Sequence, residues 1–437
     1  MKKLSAIFSL VFLGTFAPSA LALAASPAKI DTGDTAWLLT SAALVLLMTP
    51  GLALFYGGMV RRKNVLGTMM HSFVAMGIIS VQWVLIGYSL SFGPDVGHFI
   101  GNLHWLGLNH VGLSPDADYG ATVPHQAYMV FQMMFAIITP ALISGAIAER
   151  MKFSTFLVFM TVWAFLVYDP LAHWVWGAGG WLRNLGALDF AGGLVVHVSS
   201  GVSALACILV LGKRKGYKVE IMAPHNLTMT LLGAALLWFG WFGFNAGSAV
   251  ASGALATSAF VVTHIAAAAA ALSWMLTEWL HRGRPTALGF VSGAVAGLVG
   301  ITPASGFIGP MPALLLGVLV GIICYTAVSL KPRFAYDDAL DVIGVHGVGG
   351  TFGALFTGFF ATTLINPAGA NGLFFGHPGQ VGIQALSVVC AWIYSFVVTF
   401  IILKVLDLVM GLRVDEEEES IGLDLSQHDE VGYTFGQ

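Results

Sequence analysis

From residue 37 onward, apolar stretches of about twenty residues alternate with short polar connections, and that length is what an α-helix needs to cross the hydrocarbon core of a bilayer. The stretches fall at 37–60, 66–93, 125–148, 154–176, 190–212, 227–250, 254–280, 286–302, 309–330, 341–362 and 380–410. They predict an all-α membrane protein with eleven transmembrane helices. Ahead of them, Lys2 and Lys3 precede an apolar run from Leu4 to Phe16, followed by Pro18 and the small residues of Ala20-Leu-Ala22-Leu-Ala24-Ala25. The run is too short to span a bilayer, so residues 1–24 read as a cleavable signal peptide. That leaves a membrane domain over 25–410 and a more polar tail over 411–437.

The connections carry the orientation. With the mature N-terminus outside, the inner loops hold Arg61, Arg62, Lys63, Arg150, Lys152, Lys213, Arg214, Lys215, Lys218, Arg282, Arg284, Lys331 and Arg333, and the outer loops hold only Arg183. Thirteen against one places the N-terminus in the periplasm and the tail in the cytoplasm by the positive-inside rule. The outer segment 94–124 carries Asp95, Asp116 and Asp118 and no Lys or Arg, so a cation arriving there meets no repulsive ring. Plain solvation of a loop accounts for those acids equally well.

Composition narrows the function classes. Of 437 residues 57% are hydrophobic and 9% charged, and the mean hydropathy is +0.83, which excludes a water-soluble globule. The 53 glycines supply the close backbone approach that helix packing in lipid requires. A formal net charge of -3 leaves no basic excess for nucleic acid. Cys207, Cys324 and Cys390 lie far apart in apolar runs, without the spacing of a disulfide framework, a zinc site or a haem attachment, so no metal or cofactor is expected.

Spans one to five and six to ten form two sets of five. Five is odd, so the second set begins on the opposite face and the architecture reads as two inverted five-helix repeats plus a final helix. A hint of the repeat survives in sequence: Asp189-Phe-Ala-Gly192 leads to His197 and Gly201, and Asp341-Val-Ile-Gly344 leads to His346 and Gly350. Inverted repeats place substrate paths between them, and an intramembrane histidine marks a pathway or proton relay by default. A buried histidine can also simply bond a carbonyl; a matched pair favours the pathway. In an apolar pore the neutral form of each ring accepts one hydrogen bond and donates another, which suits a small polar molecule or a hopping proton. Phe131, Phe135, Trp176 and Phe244 form an aromatic set whose faces attract a cation, although such rings serve as packing in most membrane proteins. Ser248, at the outer end of the sixth span, adds a hydroxyl acceptor.

Long ordered motifs point further. Thr49-Pro-Gly-Leu-Ala-Leu-Phe-Tyr-Gly-Gly58, Arg62-Lys-Asn-Val-Leu66, Ala172-His-Trp-Val-Trp-Gly177 and Ala187-Leu-Asp-Phe-Ala-Gly-Gly193 with His197 are followed by Gly240-Trp-Phe-Gly-Phe-Asn-Ala-Gly-Ser248, Gly344-Val-His-Gly347 and Gly411-Leu-Arg-Val414. Spread over essentially all of the mature chain, they resemble the ammonium transporter family, Amt/Mep/Rh, and its bacterial Amt branch in particular. The resemblance implies the ammonium transporter fold in a bacterial inner membrane, a homotrimer with one pore per subunit, and a cytoplasmic PII signalling protein as partner. It implies an outer ammonium recruitment site at Phe135, Trp176 and Ser248 with Phe131 beside it, a gate of Phe135 and Phe244, and pore histidines His197 and His346. It gives Asp189 the part of the family's buried aspartate, which holds the recruitment site together or assists deprotonation. The tail departs at His428-Asp-Glu430, where the family usually reads His-Gly-Glu.

Ammonium and potassium are similar in size and charge, so a polar hole cannot easily separate them, whereas deprotonation can. The expected function is transport in which ammonium is recruited outside, loses its proton, and crosses as ammonia with the proton moving separately. A passive gas channel and a sensor acting through the tail are the alternatives. A haem enzyme using the two histidines lacks any attachment motif.

Overall fold

The computed structural model describes residues 29–334 and 336–434; the segment read as a signal peptide lies outside them. Among the described residues, ten helices are long and apolar enough to cross a membrane: α1 (Thr32–Met59), α2 (Arg62–Phe92), α3 (His125–Ile147), α4 (Phe153–Leu185), α5 (Gly193–Leu211), α6 (Leu227–Gly247), α7 (Ala254–Arg282), α9 (Pro310–Phe334), α10 (Ile343–Phe360) and α11 (Gly379–Met410). The eleventh expected crossing, α8 (Ala287–Ile301), is a shorter apolar helix of 15 residues. Every predicted stretch therefore becomes a helix, because in lipid a backbone has to satisfy its own hydrogen bonds.

The two halves meet through small residues. Cβ atoms at Gly58 and Gly233 would run into Thr230 and the Phe55 backbone respectively, so α1 and α6 cross almost backbone to backbone. Two helices are broken into deep starts. Residues 188–192 and 337–340 approach α5 and α10 as largely buried segments rather than surface loops, so both helices begin inside the bundle. Each opens with a wide turn, Gly193–Val198 and Ile343–Gly347, in the π geometry that often marks functional sites.

The structure also corrects the register of the repeat. Asp189 caps α5 by accepting from the N–H groups of Gly192, Gly193 and Leu194, while Asp338, not Asp341, accepts from Ile343 N–H at 2.8 Å at the start of α10. Counted from Asp338, the aspartate-to-histidine spacing is eight in both halves, and the three-residue discrepancy left by counting from Asp341 disappears. Asp341 then falls on the position of Gly192, and both have left-handed backbones, with φ of 61° and 112°. A non-glycine residue hid that equivalence in sequence.

One face of the bundle carries the small hairpins Asp95–Val96 with Ile100–Gly101 and Pro115–Asp116 with Gly120–Pro124. The other, basic face is tied by a buried ionic network. Arg61 Nε donates to Glu149 at 2.8 Å, Arg214 Nη2 pairs with Asp337 at 2.8 Å, and Arg150 Nη2 donates to the Asp337 carbonyl at 2.8 Å. The tail folds onto this face as two short helices, α12 (Glu416–Ile421) and α13 (Leu423–His428). Glu419 accepts from Arg413 at 2.6 Å, Asp424 from Gly67 N–H at 2.8 Å, and Asn64 from Leu423 N–H at 2.8 Å.

Candidate functional site

Between the two faces runs a line of cavities. On the hairpin face a cavity of about 250 Å³ is lined by Phe135, Trp176 and Ser248, together with Tyr128, Gln132, Asp118 and Arg183. Trp176 is held by its indole N–H, which donates to the Asp189 carbonyl at 2.9 Å, and its ring meets Phe135 edge-on at 6.0 Å. Ser248 donates its hydroxyl proton to the Phe244 carbonyl at 2.8 Å, which leaves its oxygen as an acceptor toward the cavity. The expected recruitment residues thus converge, except that Phe131 backs Phe135 at 4.9 Å and lies against Gly247 instead of lining the space.

The floor of this cavity is closed by Phe135 and Phe244, with ring centroids 4.2 Å apart. Below them lies a much smaller space of about 10 Å³, lined by His197, His346 and otherwise apolar side chains such as Leu52, Leu142 and Trp241. That is room for about one water-sized molecule, not for a hydrated ion. His197 and His346 face each other with Nδ1 atoms 3.3 Å apart and ring centroids 5.3 Å apart. One ring must donate where the other accepts, so the pair is a proton-sharing contact. The other ring nitrogen of His197, Nε2, is buried without a hydrogen-bond partner among the described residues. Further on, a space of about 30 Å³ with His346, Tyr56 and Asp341 on its walls opens toward a basic-face cavity of about 460 Å³ that shares Asp341.

The glycines noticed four residues after each histidine account for the ring contact. A Cβ at Gly201 would collide with the Gly347 backbone, and one at Gly350 would sit 2.9 Å from His197 Cβ. Each histidine's helix therefore nests against the glycine of the other. Asp189 spends both carboxylate oxygens on N–H groups at 2.5 to 3.3 Å, stabilising the positive end of α5.

Sequence reasoning missed several lining residues. Trp241 stacks on His197 at 5.4 Å, and its place three residues before Phe244 puts it on the same helical face. Gln132 stands three before Phe135 for the same reason; its Nε2 donates to Tyr128 at 3.1 Å, while its buried Oε1 has no hydrogen-bond partner among the described residues. Arg183 comes from the last short helical stretch of α4, Trp181–Leu185, and Asp118 from a loop, and no periodicity connects either to the path.

The sequence profile of the Ammonium Transporter Family matches residues 36–433. The chain belongs to the ammonium transporter family. It is 54% identical over 405 residues to an ammonium transporter of Bacillus subtilis, covering 92% of this chain and 99% of that one. Among solved structures, Candida albicans Mep2 is similar with a TM-score of 0.85 and 39% identity, over 89% of this chain and 88% of that one. A chain named Sensor Amt Protein is similar with a TM-score of 0.83 and 30% identity, over 91% and 98%. The transporter is therefore a multi-pass membrane protein of ammonium transport, not an enzyme, and its architecture is the eleven-helix fold of two inverted repeats plus a final helix.

Proposed function

We propose that the transporter takes up ammonium across a bacterial inner membrane with the hairpin face outward, after removal of residues 1–24, and with the 411–437 tail in the cytoplasm. The charge count of the loops supports this orientation. Ammonium is held in the 250 Å³ cavity by the faces of Trp176 and Phe135 and by the Ser248 oxygen. It loses its proton there, ammonia passes the Phe135–Phe244 gate when the rings part, and the proton travels separately through His197 and His346. Asp189 holds the recruitment site by fixing the start of α5 and, through its own carbonyl, the Trp176 ring.

One observation carries this reading: the step from a roomy polar-lined cavity to a space of about 10 Å³ whose only polar groups are two imidazoles in mutual contact. Potassium has no neutral form and would meet the full cost of desolvation, idealised at on the order of 20 kcal/mol. Charge movement separates this mechanism from a passive gas channel. An ammonium pulse on a solid-supported membrane carrying the protein should give a transient positive current, and silence with intact ammonia flux would leave only the gas channel.

The assembly in this reading is a homotrimer with one pore per protomer, and a PII signalling protein is its cytoplasmic partner. A second role in sensing is favoured by the tail, whose Asp424 and Leu423 bond directly to the start of α2 and so are placed to report on the bundle.

A further inference from the structure

The lone basic residue of the outer loops is not a bystander. Arg183 lies in the wall of the cavity that holds the recruitment residues, and its Nη1 donates to the backbone carbonyl of Trp176 at 2.8 Å, which pins the guanidinium to the same cavity wall. Asp118 lines the same cavity. No ion pair joins the two among the described residues, so neither charge is cancelled by contact, and each acts on whatever ion enters. Arginine is always charged and weakly hydrated, so its field persists at every working pH.

The geometry points to Arg183 as an affinity-setting residue: a fixed positive charge that weakens capture of ammonium at the cavity mouth, opposed by Asp118. This deepens the proposed recruitment role of the cavity and rests on it. The reasoning is electrostatic. Like charges sharing a water-filled vestibule repel by an amount that falls with screening, and the Debye length shrinks from about 30 Å at 0.01 M salt to about 10 Å at 0.1 M. A weakened outer site also releases its cation readily, which keeps the site from becoming a trap.

The test compares wild type, Arg183→Gln, Arg183→Lys, Asp118→Asn and the Arg183→Gln/Asp118→Asn double variant in proteoliposomes. Initial rates of labelled methylammonium uptake are read at low (~0.01 M) and higher (~0.3 M) salt, with Trp176→Leu as a marker for the cavity itself. At low salt Arg183→Gln should lower KM about threefold with the maximal rate unchanged, Asp118→Asn should raise it about threefold, and the double variant should return near wild type. Arg183→Lys should resemble wild type, and the differences should largely vanish at the higher salt. An unchanged or raised KM in Arg183→Gln, or a shift that persists at high salt, overturns the proposal; the latter would mean that Arg183 acts by holding the Trp176 carbonyl. If Trp176→Leu leaves uptake untouched, the recruitment reading itself has failed. If Trp176→Leu impairs uptake while the Arg183 variants do nothing, only the present proposal falls.

Discussion

The contact between the two histidines depends on a glycine, and adding one methyl group tests that dependence. At Gly350 a Cβ would lie 2.9 Å from His197 Cβ, 3.1 Å from the Gly193 carbonyl oxygen and 3.2 Å from Val198 N. Two of the three are backbone atoms, so no side chain can swing away, and α5 and α10 must separate by about 0.5 Å to restore ordinary contact. His346 sits one turn earlier on the same helix as Gly350, so the separation acts on the ring pair. Added to the present 3.3 Å, it takes the Nδ1 atoms to about 3.8 Å, beyond hydrogen-bond reach. Overpacking of this size costs about 1–3 kcal/mol, which a protein of this core size survives. Gly350→Ala should therefore purify as a folded oligomer and lose at least about tenfold of its ammonium-evoked current, if the proton passes through the ring contact. Gly77→Ala provides the control: a Cβ there meets nothing within 4 Å in α2, so it should stabilise the helix by about 0.5–1 kcal/mol and leave the current alone. A Gly350→Ala protein with wild-type current would refute the idea that the 3.3 Å contact carries the proton.

Three more outcomes can be checked. His197→Asp places a fixed carboxylate in the 10 Å³ space and should let an intact cation through, read as potassium-driven current in proteoliposomes; continued potassium exclusion would count against selection by deprotonation. Asp337→Ala removes the shorter of the two carboxylate partners of the buried Arg214 guanidinium, leaving Glu149 at 3.4 Å, and should cost about 1–3 kcal/mol, seen as a lower unfolding temperature in detergent, and an unchanged temperature would dismiss the network as decoration. Burial alone would raise the carboxyls of Asp337 and Glu149, but Arg214 and Arg61 outweigh it and hold both below the usual carboxylate range. Their contribution is thus fully present above the ordinary values near pH 4 to 4.5 and is lost as the pH falls through the depressed ones, so acid should narrow the gap between wild type and Asp337→Ala. Asp429 occupies the left-handed residue that ends α13, with φ 54° and ψ 35°, a conformation that glycine adopts without strain. Asp429→Gly should therefore stabilise the docked tail by about 1 kcal/mol, measured as slower hydrogen exchange in α13, and faster exchange would contradict the cap argument.

That geometry bears on the tail's mismatch at His428-Asp-Glu430: the residue between the histidine and the glutamate turns left-handed, a shape glycine takes freely and an aspartate tolerates here. Asp341 repeats the lesson at the start of α10. Both cases were visible in sequence only as mismatches.

The number and approximate places of the membrane helices were legible in the chain because hydropathy acts locally: each stretch meets lipid or water on its own terms. Trp176, Phe135, Phe244 and Ser248 were marked as candidates by the resemblance of their motifs to the family, and the structure brings Trp176, Phe135 and Ser248 to one cavity with Phe244 against Phe135. The aspartate register was not, since Asp338 caps α10 through a backbone shape that any residue at 341 could either allow or forbid. Nor could spacing bring His197 and His346 together. They lie 149 residues apart, on helices entering from opposite faces, and only the buried approach segments and the nested glycines set their rings 3.3 Å from each other. Arg183 shows the same divide from the other side. Its charge was countable from the start, but whether that charge faces open water or the substrate's doorway is decided by how the last helical stretch of α4, Trp181–Leu185, packs beside the cavity, and that is a property of the packed bundle.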